Sequence, residues 1–391
     1  ETGRAAVIHP TGTGKSFIGF RLCEEHPEQR VCWLSPSEYI FRTQRENLLR
    51  AGGAEPENIR FYTYARLMQM SEGEMEEIGP EYIILDEFHR CGAEMWGKGV
   101  QALLRMNPKA PVLGLSATSI RYLDNQRDMA EELFWGNVAS EMTLGEAIAR
   151  GILAAPKYVV SVYAYRKELE RYEKRVYGMK NRAARNLAEK YLEALRRSLE
   201  KADGLDEVFA RHMSERTGKY LVFCANVRHM EELLECCGTW FERIDTAPHI
   251  YRAYSEDPET TEAFRAFKED ESGHLKLLFC IDMLNEGIHV EGVAGVILFP
   301  PTVSPVIYKQ QIGRALTASG SREPVIFDVV NNFENLYSIG TLQAEMEAAG
   351  YAQSEEEREQ IRERFRIIDE VRESRALFEA LQETLSAPWE A

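Results

Sequence analysis

The chain is 391 residues long and 44% apolar, enough for roughly two to three domains with proper cores. Its net charge of −16 excludes a uniformly basic nucleic-acid coat, but not a narrow groove that holds a phosphate backbone by hydrogen bonds. No run approaches the ~20 apolar residues of a membrane span, so no membrane association is expected. The first residues carry neither a signal nor a transit peptide and no starting Met, so the chain is expected to be a processed or excised piece of something longer. Its 7 cysteines are scattered without a C-x-x-C pair. Neither a zinc nor a redox motif is suggested, and a reducing cytoplasmic location is expected.

In chain order, short apolar runs at 5–8, 31–35, 82–85 and 111–115 predict buried strands, with helical patterns between them. That alternation predicts a parallel sheet covered on both faces. A second alternating set, at 220–225, 249–254, 275–281, 293–299 and 324–328, predicts a second lobe. The predicted fold is therefore α/β, with two tandem parallel-sheet lobes, a helical insertion between them and a helical C-terminal extension. The expected boundaries are 1–156 for lobe 1, 157–217 for the insertion, 218–340 for lobe 2 and 341–391 for the extension. Within the insertion, residues 166–197 carry 11 lysines and arginines against 5 glutamates. This fits either the solvated face of long helices or an arm that meets nucleic-acid phosphates. In the extension, Phe365, Ile368 and Val371 are spaced as on a helix.

The chemistry concentrates in a few short segments. HPTGTGKS, residues 9–16, lies between a strand and a helix, the setting a phosphate-binding loop needs. Thr11, Gly12, Thr13 and Gly14 would wrap backbone amides around a phosphate at a helix N-terminus. Lys15 would neutralise the β- and γ-phosphates and the Ser16 hydroxyl would ligate Mg²⁺, making ATP and magnesium the expected cofactors. His9 stands where the strict pattern has glycine. After the strand at 82–85, Asp86 is placed to hold the magnesium shell and Glu87 to polarise the attacking water.

Lys15-Ser16, Asp86-Glu87-Phe88-His89, Ser116-Ala117-Thr118 and Gln310-x-x-Gly313-Arg314 together resemble motifs I, II, III and VI of superfamily 2 DExH-type helicases and translocases. The order and spacing of these motifs extend over residues 1–340. The P-loop resembles that superfamily's A-x-x-G-x-G-K-[ST] form, which accounts for the missing first glycine. The resemblance implies two RecA-like lobes, with Gln310 and Arg314 reaching the nucleotide, Arg314 as an arginine finger. It implies that His89 and residues 116–118 couple the γ-phosphate to lobe movement, and that Asp282, Glu286 and Gly287 belong to motif V. Ser35 and Pro36 resemble motif Ia, Thr63 and Arg66 motif Ib, and Asn226 and Arg228 motif IV, which implies nucleic-acid contacts.

The MLNEGI and DEFH forms are similar to bacterial DEAD/DEAH-box proteins of the restriction-helicase type, which favours DNA over RNA as the partner. The resemblance thus implies an ATP-dependent DNA helicase or duplex translocase. An RNA-directed helicase, or an ATP-gated clamp with weak hydrolysis, remains the alternative. The clamp is carried by Thr317, which stands where the family has a second arginine. With no nuclease constellation in the sequence, a restriction role would need an additional subunit or a missing C-terminal module.

Overall fold

The computed structural model describes residues 3–92, 94–121, 127–162, 166–201, 204–213, 215–254, 257–281, 292–299, 312–313, 316, 323–330, 344–349, 366–370 and 372–387. The chain divides into two compact units, one of Glu1–Leu153, Leu284–His289 and Val306–Thr317, the other of Ala154–Met283, Val290–Pro305 and Ala318–Ala391.

The first unit is a parallel sheet of β1 (Arg4–Ile8), β2 (Val31–Ser35), β3 (Ile59–Thr63), β4 (Tyr82–Asp86), β5 (Val112–Ser116) and β8 (Val138–Glu141). Its order is β3-β2-β4-β5-β1-β8, and every pairing is parallel. A small antiparallel ribbon, β6 (Ile120–Arg121) with β7 (Arg127–Asp128), stands beside it. Strands such as VCWLS and YIILD run apolar because both faces are covered, and nearly all of their residues are buried. On one face Phe20, Phe41 and Leu48 from two helices pack against Trp33, Ile84 and Leu115. On the other, Tyr64, Leu67, Val100, Leu103 and Phe134 pack against Leu34, Ile83 and Leu85. Parallel strands linked by crossover helices bring every strand's C-terminal end to the same edge. That edge carries residue 9, Ser35, Asp86 and Ser116.

The second unit has β9 (Lys157–Val162), β10 (Lys219–Phe223), β11 (His249–Ala253), β12 (Lys276–Cys280), β13 (Val293–Leu298), β14 (Val325–Val330) and β15 (Arg366–Asp369). They follow the order β11-β12-β10-β13-β14-β9-β15, again with parallel pairings. Phe209, Phe241, Phe279 and Phe327 lie in its main core. These are the two tandem α/β lobes that the alternation predicts, RecA-like as the resemblance implies.

Besides the ribbon strands β6 and β7, four strands of the two parallel sheets lie outside the predicted set. β3 and β8 are the edge strands of the first sheet, and β8 is largely exposed, so neither shows the continuous apolar run of a central strand. β9 opens the segment expected to be a helical insertion, and it is an internal strand between β14 and β15. β15 carries Ile368, whose spacing suggests a helix, yet it pairs with β9 through Ile368 and Val159. The helices Arg166–Tyr177 and Arg182–Lys201 follow β9, and the latter packs against the C-terminal helix Arg372–Ser386. Tyr172 and Phe378 meet edge to face at 5.2 Å, and Ser198 Oγ lies 2.8 Å from Ser374 Oγ. Part of the basic excess in these helices is spent locally, through Arg185–Glu189, Arg197–Glu193 and Arg196–Glu173.

Candidate nucleotide site

β1 ends at Ile8, and the chain then turns through residues 9–14 into the helix Lys15–Glu25. The turn is tethered on two sides: His9 N donates to Ser116 O at 3.0 Å, and His9 Nε2 meets Ser140 Oγ at 2.7 Å. Thr13 Oγ1 donates to Pro10 O at 2.8 Å, closing the loop on itself. Gly12 and Gly14 sit at φ 87° and 85°, the left-handed region that glycine enters at no steric cost. The helix starts with no side-chain cap and no acidic residue in its first turn, so its first amides and its dipole stay open to an anion. Lys15 is buried, and its Nζ rests on His9 O (2.9 Å) and Pro10 O (3.2 Å). A cation lying over its own loop's carbonyls is pre-positioned for a phosphate in that cradle. Ser16 follows it, half-buried.

β4 delivers the two acids. Asp86 is buried, and its Oδ2 accepts from Ser35 Oγ (3.1 Å) and Gln44 Nε2 (2.9 Å). Its main-chain carbonyl accepts from the buried Tyr64 hydroxyl at 2.8 Å. Glu87 then takes φ 51°, a backbone region that a glutamate occupies only when its surroundings impose it. The reversal sets its carboxylate beside His89 Nδ1 (3.4 Å) and Ser116 Oγ (3.5 Å). His89 Nδ1 and Ser116 Oγ are themselves 2.7 Å apart, so the histidine of the acid box and the serine of the SAT segment form one cluster around Glu87.

The two carboxyls are driven apart electrostatically. Burial, and then the charge of Glu87, push the Asp86 carboxyl well above the usual range, against the Gln44 and Ser35 donors and Lys15. Burial acts to raise Glu87 as well, but the His89 hydrogen bond and the charges of Lys15, His89 and Arg90 outweigh it and hold the carboxylate low. The surroundings therefore favour the ionised form of Glu87 and make the Asp86 anion the costlier of the two, a cost that a cation beside it would offset.

That is the character of a magnesium-binding acid. No donor among the described residues meets Asp86 Oδ1, and Gln44 Oε1 is a buried acceptor with no hydrogen-bond partner among them. Among the described residues no group of three or more His, Cys, Asp or Glu side chains is placed to hold a metal. An ion carried by nucleotide phosphates needs only one or two protein ligands. The residues present fit Mg²⁺ held through Asp86 and Ser16.

The other expected contacts divide. Ser35, predicted on a nucleic-acid track, is fully buried with its hydroxyl on Asp86, so it serves the acid site. Thr63 and Asn226 act as helix N-caps, accepting from Arg66 N (3.0 Å) and His229 N (2.9 Å). Pro36 is half-buried; Arg66 and Arg228 are exposed and paired with Glu74 and Glu232. Of the QQIGRAL segment, Ile312 is buried, and a Cβ built on Gly313 would lie 3.6 Å from Thr11 Cβ. Gln310, Arg314, Thr317, Asp282, Glu286 and Gly287 lie outside the described residues. Gln44 and Tyr64, both on Asp86, were not expected from the motifs. The signal for Gln44 is a polar residue in the stripe Ile40, Gln44, Leu48, where its neighbours at four-residue spacing are buried.

A phosphate loop joined to a buried acid, followed in sequence by a second α/β unit, defines the class: a P-loop protein with two RecA-like lobes. Residues 1–121 match the family described as type III restriction enzyme, res subunit, and residues 200–319 match the helicase conserved C-terminal domain. With these two matches in this order, the chain is a superfamily 2 helicase-type protein. No curated protein matches it. Among similar solved structures is the ATP-dependent type ISP restriction-modification enzyme LlaBIII bound to DNA, 17% identical with a TM-score of 0.53. That match covers 98% of this chain but 31% of LlaBIII, so this chain spans under a third of that enzyme's length. Dbp5 of S. cerevisiae, bound to RNA and ADP with BeF3, is 14% identical with a TM-score of 0.54 over 98% of this chain and 89% of its own. The Mycobacterium smegmatis helicase Lhr, bound to ssDNA and AMP-PNP, is 15% identical with a TM-score of 0.53 over 88% and 46%. These likenesses establish the fold. Among the described residues, no helix is long and apolar enough to cross a membrane.

Proposed function

We propose that this chain is an ATP-driven DNA helicase or duplex translocase. The observation that carries the reading is the cluster of Glu87, His89 and Ser116 beside a buried Asp86 and a phosphate loop with Lys15 at its mouth. Lys15 and the loop amides bind and orient the ATP phosphates, and Asp86 with Ser16 holds the metal. Magnesium, when bound, neutralises charge on the β- and γ-oxygens. Glu87, kept ionised, accepts a proton from the attacking water, and the His89–Ser116 contact fixes the direction of its carboxylate. By their place in the motif order, Gln310 adds a neutral amide contact to the nucleotide and Arg314 supplies the remaining positive charge at the γ-phosphate.

DNA is favoured over RNA by the restriction-type form of the DEFH and MLNEGI segments and by the match of residues 1–121 to a restriction-enzyme subunit. Arg66 and Arg228, exposed beside helix N-termini, suit backbone contacts that position a strand without reading sequence. An additional subunit or a further module would decide the biological use of the motor.

The test is steady-state ATP hydrolysis with single-stranded DNA, duplex DNA and RNA at matched nucleotide concentration. DNA is expected to stimulate turnover severalfold above RNA. Greater stimulation by RNA would make this an RNA-directed enzyme. No stimulation by any polymer, with ATP-dependent nucleic-acid binding retained, would replace the motor by an ATP-gated clamp.

A further inference from the structure

Gln44 lies in the helix Glu38–Arg50, which Ser37 caps by accepting from Ile40 N at 3.3 Å. Its position on the buried stripe turns it to the sheet edge, where Nε2 donates to Asp86 Oδ2 at 2.9 Å. Ser35 Oγ donates to that same oxygen, so two donors from separate elements fix one side of the carboxylate and leave Oδ1 for another partner. With Asp86 ionised, as a metal ligand must be, the amide nitrogen faces it, because a turned amide would set its carbonyl against a carboxylate oxygen, acceptor against acceptor. Gln44 Oε1 therefore points away from Asp86, buried and with no hydrogen-bond partner among the described residues. A buried acceptor left unmatched is costly, and such groups are normally satisfied by protein or by ordered water.

Beside a carboxylate that takes a divalent cation, the donor that fits is a water bound to that cation, whose O–H bonds the metal polarises. From this geometry we infer that Gln44 is a positioning residue of the metal site: Nε2 orients Asp86, and Oε1 accepts from a metal-bound water. The inference rests on the reading of Asp86 as the magnesium acid.

The experiment uses the full chain and reads metal affinity directly, by paramagnetic titration of Mn²⁺ in the presence of AMP-PNP. Binding of AMP-PNP in EDTA and thermal melting are measured alongside. Gln44→Met keeps the length of the side chain and removes both the donor and the acceptor. It is expected to weaken Mn²⁺ binding by about 10- to 100-fold, with metal-free nucleotide binding within about twofold of the parent. If that variant does not fold, Gln44→Asn carries the same test, since its amide is one methylene short of Asp86. Asp86→Asn and Ser16→Ala are run in parallel. Unchanged Mn²⁺ affinity in Gln44→Met, with loss in Asp86→Asn, overturns the role of Gln44 and leaves the metal assignment standing. Unchanged affinity in all three overturns the magnesium site itself. An equal fall in metal-free nucleotide binding marks a general disturbance of the helix and also overturns the positioning role.

Discussion

Glu87→Gln is expected to lower ATP turnover by roughly 10²- to 10⁴-fold, the range that one positioned general base contributes, while nucleotide binding changes little. The amide has almost the shape of the carboxylate and can still meet the Ser116 hydroxyl, so the φ 51° turn and the packing around it should persist. What is lost is the anion. In the parent, His89 and the charges of Lys15 and Arg90 favour that anion against its burial, holding the carboxyl below the usual range. Steady-state hydrolysis and equilibrium binding of AMP-PNP separate the two effects. Ser116→Ala provides the comparison, because it removes the hydroxyl at 2.7 Å from His89 but leaves the acid. It should cost less than Glu87→Gln and act chiefly on stimulation by nucleic acid. Turnover unchanged in Glu87→Gln would remove the base assignment and, with it, the principal reason for reading the His89–Ser116 contact as catalytic support.

The geometry of the candidate site was legible where the backbone restricts which residues can serve. A turn that wraps phosphate needs glycine at left-handed positions, and Gly12 and Gly14 occupy them. Central parallel strands must be apolar along their length, so VCWLS and KLLFC announce themselves. Edge strands carry no such demand: β3 and β8 fall in stretches expected to be helical, and they pair as strands along β2 and β1. At four residues, β15 is too short for periodicity to speak, and Ile368 could as well belong to a helix. The polar residues after strands were the ambiguous class. A hydroxyl or amide there can meet a ligand, cap the next helix or support a neighbour. Ser35 supports Asp86, and Thr63 and Asn226 cap helices. Sequence spacing cannot separate these uses, because all three place the residue at the same point of the β–α turn. Gln44 and Tyr64 escape motif reading for a related reason. Each acts on Asp86 from a helix that follows a different strand, a juxtaposition created by the sheet order.

The largest stability effect is expected at Trp33, where the core meets the phosphate loop. Its side chain is fully buried in the middle of β2, 4.8 Å from Phe20 and 5.4 Å from Phe41 between ring centroids. Trp33→Ala should cost about 3–5 kcal/mol, the usual range for removing a buried tryptophan, a large part of a total of roughly 5–15 kcal/mol. The opposing position is Gly19, in the helix that begins with Lys15. A Cβ added there would lie 2.6 Å from Trp33 Cη2 and 2.9 Å from Cζ3, so the indole fills the space a side chain at 19 would use. Gly19→Ala alone should therefore destabilise, although alanine is favoured over glycine inside a helix by about 1 kcal/mol. In a Trp33→Phe background the smaller ring leaves room for the methyl group, and the same Gly19→Ala change should become neutral or stabilising. Urea unfolding of the four proteins gives the coupling, expected on the order of 1–3 kcal/mol for residues in direct contact. Strictly additive midpoints would mean that the indole does not set the depth of this helix. Because the helix carries Lys15 and Ser16 on its first turn, the order of nucleotide affinities should follow the order of stabilities: weakest in Trp33→Ala, and recovered in the double variant relative to Gly19→Ala.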